Sequence, residues 1–165
     1  MGTKIDTKRE RCERANELLR VIASCGRRFF SEDADRLERM ENPRVSRLEV
    51  DDRGRVWFID KYTQKRIYLH YDYWKRGFSE GGTLRSLVCS LRDYIMTGKR
   101  LHAWHFGPWP AEYCRGDLWG YGEDMQQVRD AALRLEITHP MTVKSIDATA
   151  STERQTSPEP PLNGA

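Results

Sequence analysis

Four residues in one irregular stretch carry side chains suited to metal binding or acid–base work. His102 and His105 stand in His-x-x-His spacing, and Cys114 and Asp117 follow in the same loop. Imidazole, thiolate and carboxylate are ordinary ligands for zinc and related ions. A thiol beside an imidazole is also the basis of nucleophilic catalysis, with His105 as base and Cys114 as nucleophile. Neither idea has a second supporting pattern. No Cys-x-x-Cys pair accompanies the histidines, and nothing identifies an oxyanion hole. No metal or cofactor is therefore assigned, and an enzyme built on His105, Cys114 and Asp117 is the third choice. The plainer reading is histidines packed beside aromatic rings and hydrogen bonded.

A second chemistry lies between Arg53 and Arg76, where seven basic residues face two acidic ones. Lys65, Arg66, Tyr68, His70, Tyr73, Trp74, Lys75 and Arg76 interleave positive charge with flat rings. Single-stranded nucleic acid is bound by that combination, with cations on phosphates and rings under bases. In an extended strand over 66–71, Arg66, Tyr68 and His70 share one face. The plain alternative is a solvated outer sheet face, and no established nucleic-acid-binding signature is present.

A third site is a helix start. Gly81-Gly82-Thr83 precedes a strongly periodic helix, with Arg85 in its first turn. Free backbone N–H groups and the helix dipole favour an anion there. The Gly-x-x-x-x-Gly-Lys-Ser/Thr pattern is missing, so simple turn geometry explains the glycines equally well.

The fourth is a protein-binding surface. All five Trp and all seven Tyr fall between Trp57 and Tyr121, and with three Phe they place 15 of 17 aromatic rings in 65 residues. Trp57, Phe58, Ile67 and Leu69 read as core, since aromatic and β-branched residues suit a half-buried sheet. A small domain rarely hides all 15 rings, so the surplus is expected on a surface. Trp104, His105, Phe106, Trp109, Tyr113, Trp119 and Tyr121 put it in the loop 102–122, with residue types that dominate interface hot spots. The alternative is a loop whose own rings pack it onto the domain.

The elements that must position these groups are legible. Ala15, Leu18, Leu19, Ile22 and Cys25 recur at helical spacing and predict a helix over 7–25, closed by Gly26. Residues 27–43 are ambiguous: Arg27-Arg28-Phe29-Phe30 fits a short strand or a docking segment, and Ser31–Glu41 a short charged helix ending at Asn42-Pro43. Residues 44–71 hold three apolar runs separated by the turn-forming stretches 51–54 and 62–65, which predicts an antiparallel meander. Leu84, Leu87, Val88, Leu91 and Ile95 predict a helix over 83–97 with Thr83 as its cap and Gly98 as its stop. Met125, Val128, Ala132 and Leu135 predict a third over 123–136. From 138 onward the chain is Ser/Thr/Pro-rich and reads as disordered.

Length and composition bound the class. The 165 residues suit one domain, here 1–137. Charged residues make up 32 % and the net charge is only +3, so bulk charge does not argue for nucleic acid. No apolar run approaches the roughly 20 residues of a membrane span, and a cytoplasmic location is expected. Cys12 and Cys25, on one helix, lie roughly 20 Å apart at about 1.5 Å per residue. Disulfides tolerate no more than about 7 Å between Cα atoms, so reduced thiols are expected for Cys12, Cys25, Cys89 and Cys114.

Several short stretches carry a resemblance. Trp57-Phe58-Ile59-Asp60-Lys61-Tyr62-Thr63 is one, followed by Lys65-Arg66-Ile67-Tyr68. Gly77-Phe78-Ser79, Gly81-Gly82-Thr83-Leu84-Arg85, His105-Phe106-Gly107-Pro108-Trp109-Pro110 and Trp119-Gly120-Tyr121-Gly122 are the others. Across about 15–137 the chain resembles small uncharacterised proteins encoded by tailed bacteriophages and prophages. That resemblance implies a phage or prophage origin and action inside a bacterial cell. By analogy, phage accessory proteins of this size handle nucleic acid or bind and inhibit host machinery.

The expectation is an α+β domain with a three- or four-stranded antiparallel sheet covered on one face by three helices. Leu48, Val50, Val56, Phe58, Ile67, Leu69, Leu84, Leu87, Val88 and Leu91 should form much of its core. The function expected is non-enzymatic binding of a protein partner, with single-stranded nucleic acid a near-equal alternative.

Overall fold

In a computed structural model, residues 2–25, 29–31, 45–70, 78–79 and 81–140 are described. The expectations for Gly26 as a helix stop, for 27–28, 32–44 and 71–77, and for the tail from 141 onward lie outside them.

Helix α1 spans Lys4–Ser24 and starts earlier than apolar spacing predicts. The reason is a capping box. Asp6 N–H donates to Thr3 Oγ1 at 3.1 Å, and Thr3 N–H donates to Asp6 Oδ2 at 2.8 Å. Two orphan donors of the first turn are thereby satisfied. Cys12, Ala15, Leu18, Leu19, Ile22 and Ala23 form its buried stripe.

Three short strands follow, β1 (Arg47–Val50), β2 (Val56–Ile59) and β3 (Arg66–Tyr68). They form one antiparallel sheet in the order β1-β2-β3. Leu48 pairs with Phe58, and Phe58 with Ile67. Strand alternation sends Leu48, Val56, Phe58 and Ile67 to the inner face, where all four are buried.

Helix α2 spans Gly82–Thr97. Thr83 is not its cap: Gly81 holds that position and no side chain caps the helix. Gly98 closes it in the left-handed region, φ 78°, with its N–H on the Tyr94 carbonyl. Helix α3 spans Met125–Arg134, after a single 3₁₀ turn at Gly122–Asp124.

The described residues thus form an α+β fold of three α-helices and a three-stranded antiparallel meander. Helix α1 packs on β1 and on both other helices, and α2 reaches β2. Leu18, Leu19, Ile22, Leu48, Phe58, Leu87, Leu91 and Ile95 are sealed in the core, with Val50 at its margin. Thr138 is buried, bridges to Leu101, and donates its hydroxyl to the Leu101 carbonyl at 2.9 Å. All four cysteines are free thiols.

Candidate functional site

Because Val56 and Phe58 point inward, Trp57 between them must point outward. The expectation that Trp57 is core is corrected by that parity: it is half-buried on the outer face. Register then sets the outer face as a grid. Arg47, Ile59 and Arg66 lie abreast, and Glu49, Trp57 and Tyr68 form the next row. Asp51 N–H donates to the Arg55 carbonyl at 3.0 Å, and Leu69 N–H to the Val56 carbonyl at 3.2 Å. Continuing the register puts Arg55 between Asp51 and His70 in a third row.

Cations and rings on this grid are in direct contact. The Arg66 guanidinium lies 4.1 Å from the Trp57 ring centroid, and Arg55 lies 5.4 Å from it and 5.6 Å from Tyr68. Trp57 and Tyr68 are 4.9 Å apart between centroids, and Tyr68 and His70 5.5 Å. Guanidinium-on-ring contacts contribute about 0.5–1 kcal/mol each at exposed sites. Tyr68 keeps 36 % of its surface exposed, and Lys65, Arg66 and His70 are exposed as well.

Asp51 organises the array from the β1–β2 turn. Its Oδ1 accepts the backbone N–H groups of Arg53 and Arg55, both at 2.9 Å. Its Oδ2 accepts Arg55 Nε at 2.7 Å and the Trp57 indole N–H at 3.0 Å. Loss of hydration would by itself raise this carboxyl. The bonds from the Arg55 backbone, the Trp57 indole, the Arg55 side chain and the Arg53 backbone outweigh it, and hold the group well below the usual carboxylate range. Glu49 plays a similar part at the other end. It accepts Arg47 Nη2 at 2.8 Å and Arg66 Nε at 3.4 Å.

The loop 102–122 differs from expectation. Phe106, Trp109, Trp119 and Tyr121 are core residues, with Trp109 6 %, Trp119 4 % and Tyr121 1 % exposed. Tyr121 stacks on Trp119 at 6.0 Å and on Trp109 at 6.5 Å. Trp104 and Tyr113 are half-buried and meet edge to face at 5.4 Å. These rings pack the loop onto the domain.

Nor does the loop assemble a catalytic set. Asp117 spends its carboxylate on the backbone N–H groups of Tyr121 and Gly122, both at 2.8 Å. Cys114 is exposed on a turn where Cys114, Arg115 and Gly116 all take positive φ. His105 instead faces Ser90, with Nε2 and Oγ 3.4 Å apart, in a cleft of about 190 Å³ that also reaches Asp93, Arg100 and His102 but neither Cys114 nor Asp117. Burial, with the nearby His102 charge, pushes His105 down to about 4, so its ring is neutral at neutral pH. No group of three or more His, Cys, Asp or Glu among the described residues could hold a metal ion.

At the start of α2, Gly81, Gly82 and Thr83 are exposed and Arg85 is half-buried. Tyr73, Trp74, Lys75 and Arg76 lie outside the described residues. Sequence reasoning missed Arg47, Glu49, Asp51 and Arg55, and misplaced Trp57. Alternation continued through the turn 51–54 would have found all five.

Fold and surface define a small α+β protein with an open aromatic and cationic sheet face. The YoqU family profile matches residues 6–151, and the chain belongs to that family. It is 31 % identical over 86 residues to the SPbeta prophage-derived uncharacterized protein YoqU of Bacillus subtilis (strain 168). That match covers 51 % of this chain and 56 % of the relative, so the chain spans about half the length of the curated protein it matches. No solved structure matches. No helix of the described residues is long and apolar enough to cross a membrane.

Proposed function

We propose that this protein binds single-stranded nucleic acid on the outer face of its sheet, as a prophage-type accessory factor in the bacterial cytoplasm. The observation that supports this reading is the contact array Arg66–Trp57–Tyr68–His70 on one exposed face, with Arg55 beside it. Rings of this kind stack on bases of any sequence, and flanking guanidiniums attract the phosphates between them. The prophage origin of the relative supports the setting.

The test is fluorescence anisotropy of a labelled oligothymidylate across a salt series. Wild type should bind with an affinity that falls as salt rises, and Tyr68→Ala should weaken binding roughly tenfold, since a stacked base contributes about 1–3 kcal/mol. An affinity untouched by Arg66→Glu combined with Tyr68→Ala overturns the reading.

A protein partner on the same face is the second reading. It is favoured by the near balance of charge there, with Arg47, Arg55 and Arg66 against Glu49 and Asp51. Its version based on the loop 102–122 loses its main rings to the core. Absence of oligonucleotide binding, with a partner captured by wild type and lost in Tyr68→Ala, would select it.

A further inference from the structure

The geometry points to a phosphodiester subsite between Arg47 and Arg66, occupied in the free protein by the carboxylate of Glu49. This inference rests on the nucleic-acid reading above and deepens it. Arg47 Nη2 reaches Glu49 Oε1 at 2.8 Å, and Arg66 Nε reaches Glu49 Oε2 at 3.4 Å. Two guanidiniums thus grip the two oxygens of one anion, beside a ring that Arg66 already covers at 4.1 Å. Guanidinium donors match a carboxylate and a phosphate in the same forked way. An anion at this place therefore has positive charge around it, and Tyr68, 4.9 Å from that ring and 36 % exposed, supplies a platform for the neighbouring base.

Glu49 is an internal stand-in for that phosphate. Arg47 and Arg66 are exposed and Glu49 is half-buried, and ion pairs at such a surface hold weakly. An incoming phosphate can displace the carboxylate, but it must compete with it. The competition keeps the face nearly neutral until ligand arrives. It also selects for a ligand that brings stacking together with charge, because charge alone gains little over Glu49.

Removing the carboxylate's charge should unmask the subsite. In anisotropy titrations of the full chain with labelled oligothymidylate, Glu49→Gln should bind about three- to tenfold tighter than wild type. Freeing one more arginine for phosphate should steepen the dependence of log K on log salt by about 0.7. Adding Arg47→Gln to Glu49→Gln should cancel the gain. Thermal melts should leave Glu49→Gln as stable as wild type, which separates an affinity effect from misfolding. Glu49→Gln binding no tighter than wild type, while Arg66→Glu still abolishes binding, overturns the masking and leaves the nucleic-acid reading intact. No binding by wild type or by Glu49→Gln overturns both.

Discussion

Asn16 pairs with the backbone of Leu48 as though it were a neighbouring strand. Its Nδ2 donates to the Leu48 carbonyl at 2.9 Å, and the Leu48 N–H donates to its Oδ1 at 2.7 Å. Both residues are buried. Among the described residues β1 is a sheet edge; without Asn16 the Leu48 N–H would lack a partner beneath α1 and its C=O would keep only the Cys12 thiol.

Asn16→Ala should therefore cost more than a surface substitution on the same helix. It strands the Leu48 N–H, while the carbonyl keeps only the Cys12 thiol at 3.3 Å. We expect about 2–3 kcal/mol of lost stability, read as a lower midpoint in urea unfolding.

Asp51 should give the fold an acid limit. Its pKa is held below the ordinary 3.8 when folded, so it adds stability above that value and loses it as pH falls through the folded pKa. Asp51→Asn should be less stable than wild type at pH 7, and the gap should close on acidification below about pH 4. Trp57 emission should shift in the same variant, because its indole N–H loses a carboxylate acceptor. Unfolding curves of the two proteins across pH check the first point.

His105 should act at milder pH. Its folded pKa of about 4 lies below the ordinary 6.5, so the unfolded chain takes up the proton first. The stability is complete above the unfolded value and declines as pH falls from 6.5 toward 4. His105→Gln should flatten that interval by about 2 kcal/mol, allowing for the part of the ring that solvent still reaches. Histidine ring shifts followed by NMR should show His105 titrating near 4.

Two aromatic substitutions separate core from surface. Trp109→Ala removes a buried ring whose indole N–H also donates to the Trp104 carbonyl at 2.6 Å. It should cost about 3–5 kcal/mol. Tyr68→Ala, on the exposed face, should cost about 1 kcal/mol or less. Thermal melts of both variants test the contrast, and equal losses would contradict the placement of either ring.

Periodicity alone determined the helices and the meander. Leu84, Leu87, Val88, Leu91 and Ile95 fall on one side of any helix, and the runs around 48–50, 56–59 and 66–69 alternate whatever they pair with. Those patterns are local, because backbone geometry dictates which side chains share a face. The candidate face was half legible for the same reason, since Arg66, Tyr68 and His70 share parity within one segment. What tertiary structure decided was the fate of the other rings. Trp109, Trp119 and Tyr121 sit in a stretch without period, and stacking on one another within the core cluster, not local pattern, holds them inside. Trp57 went outward because Phe58 and Val56 had the stronger claim to the interior, and Glu49 met Arg66 only because register carried one strand past another.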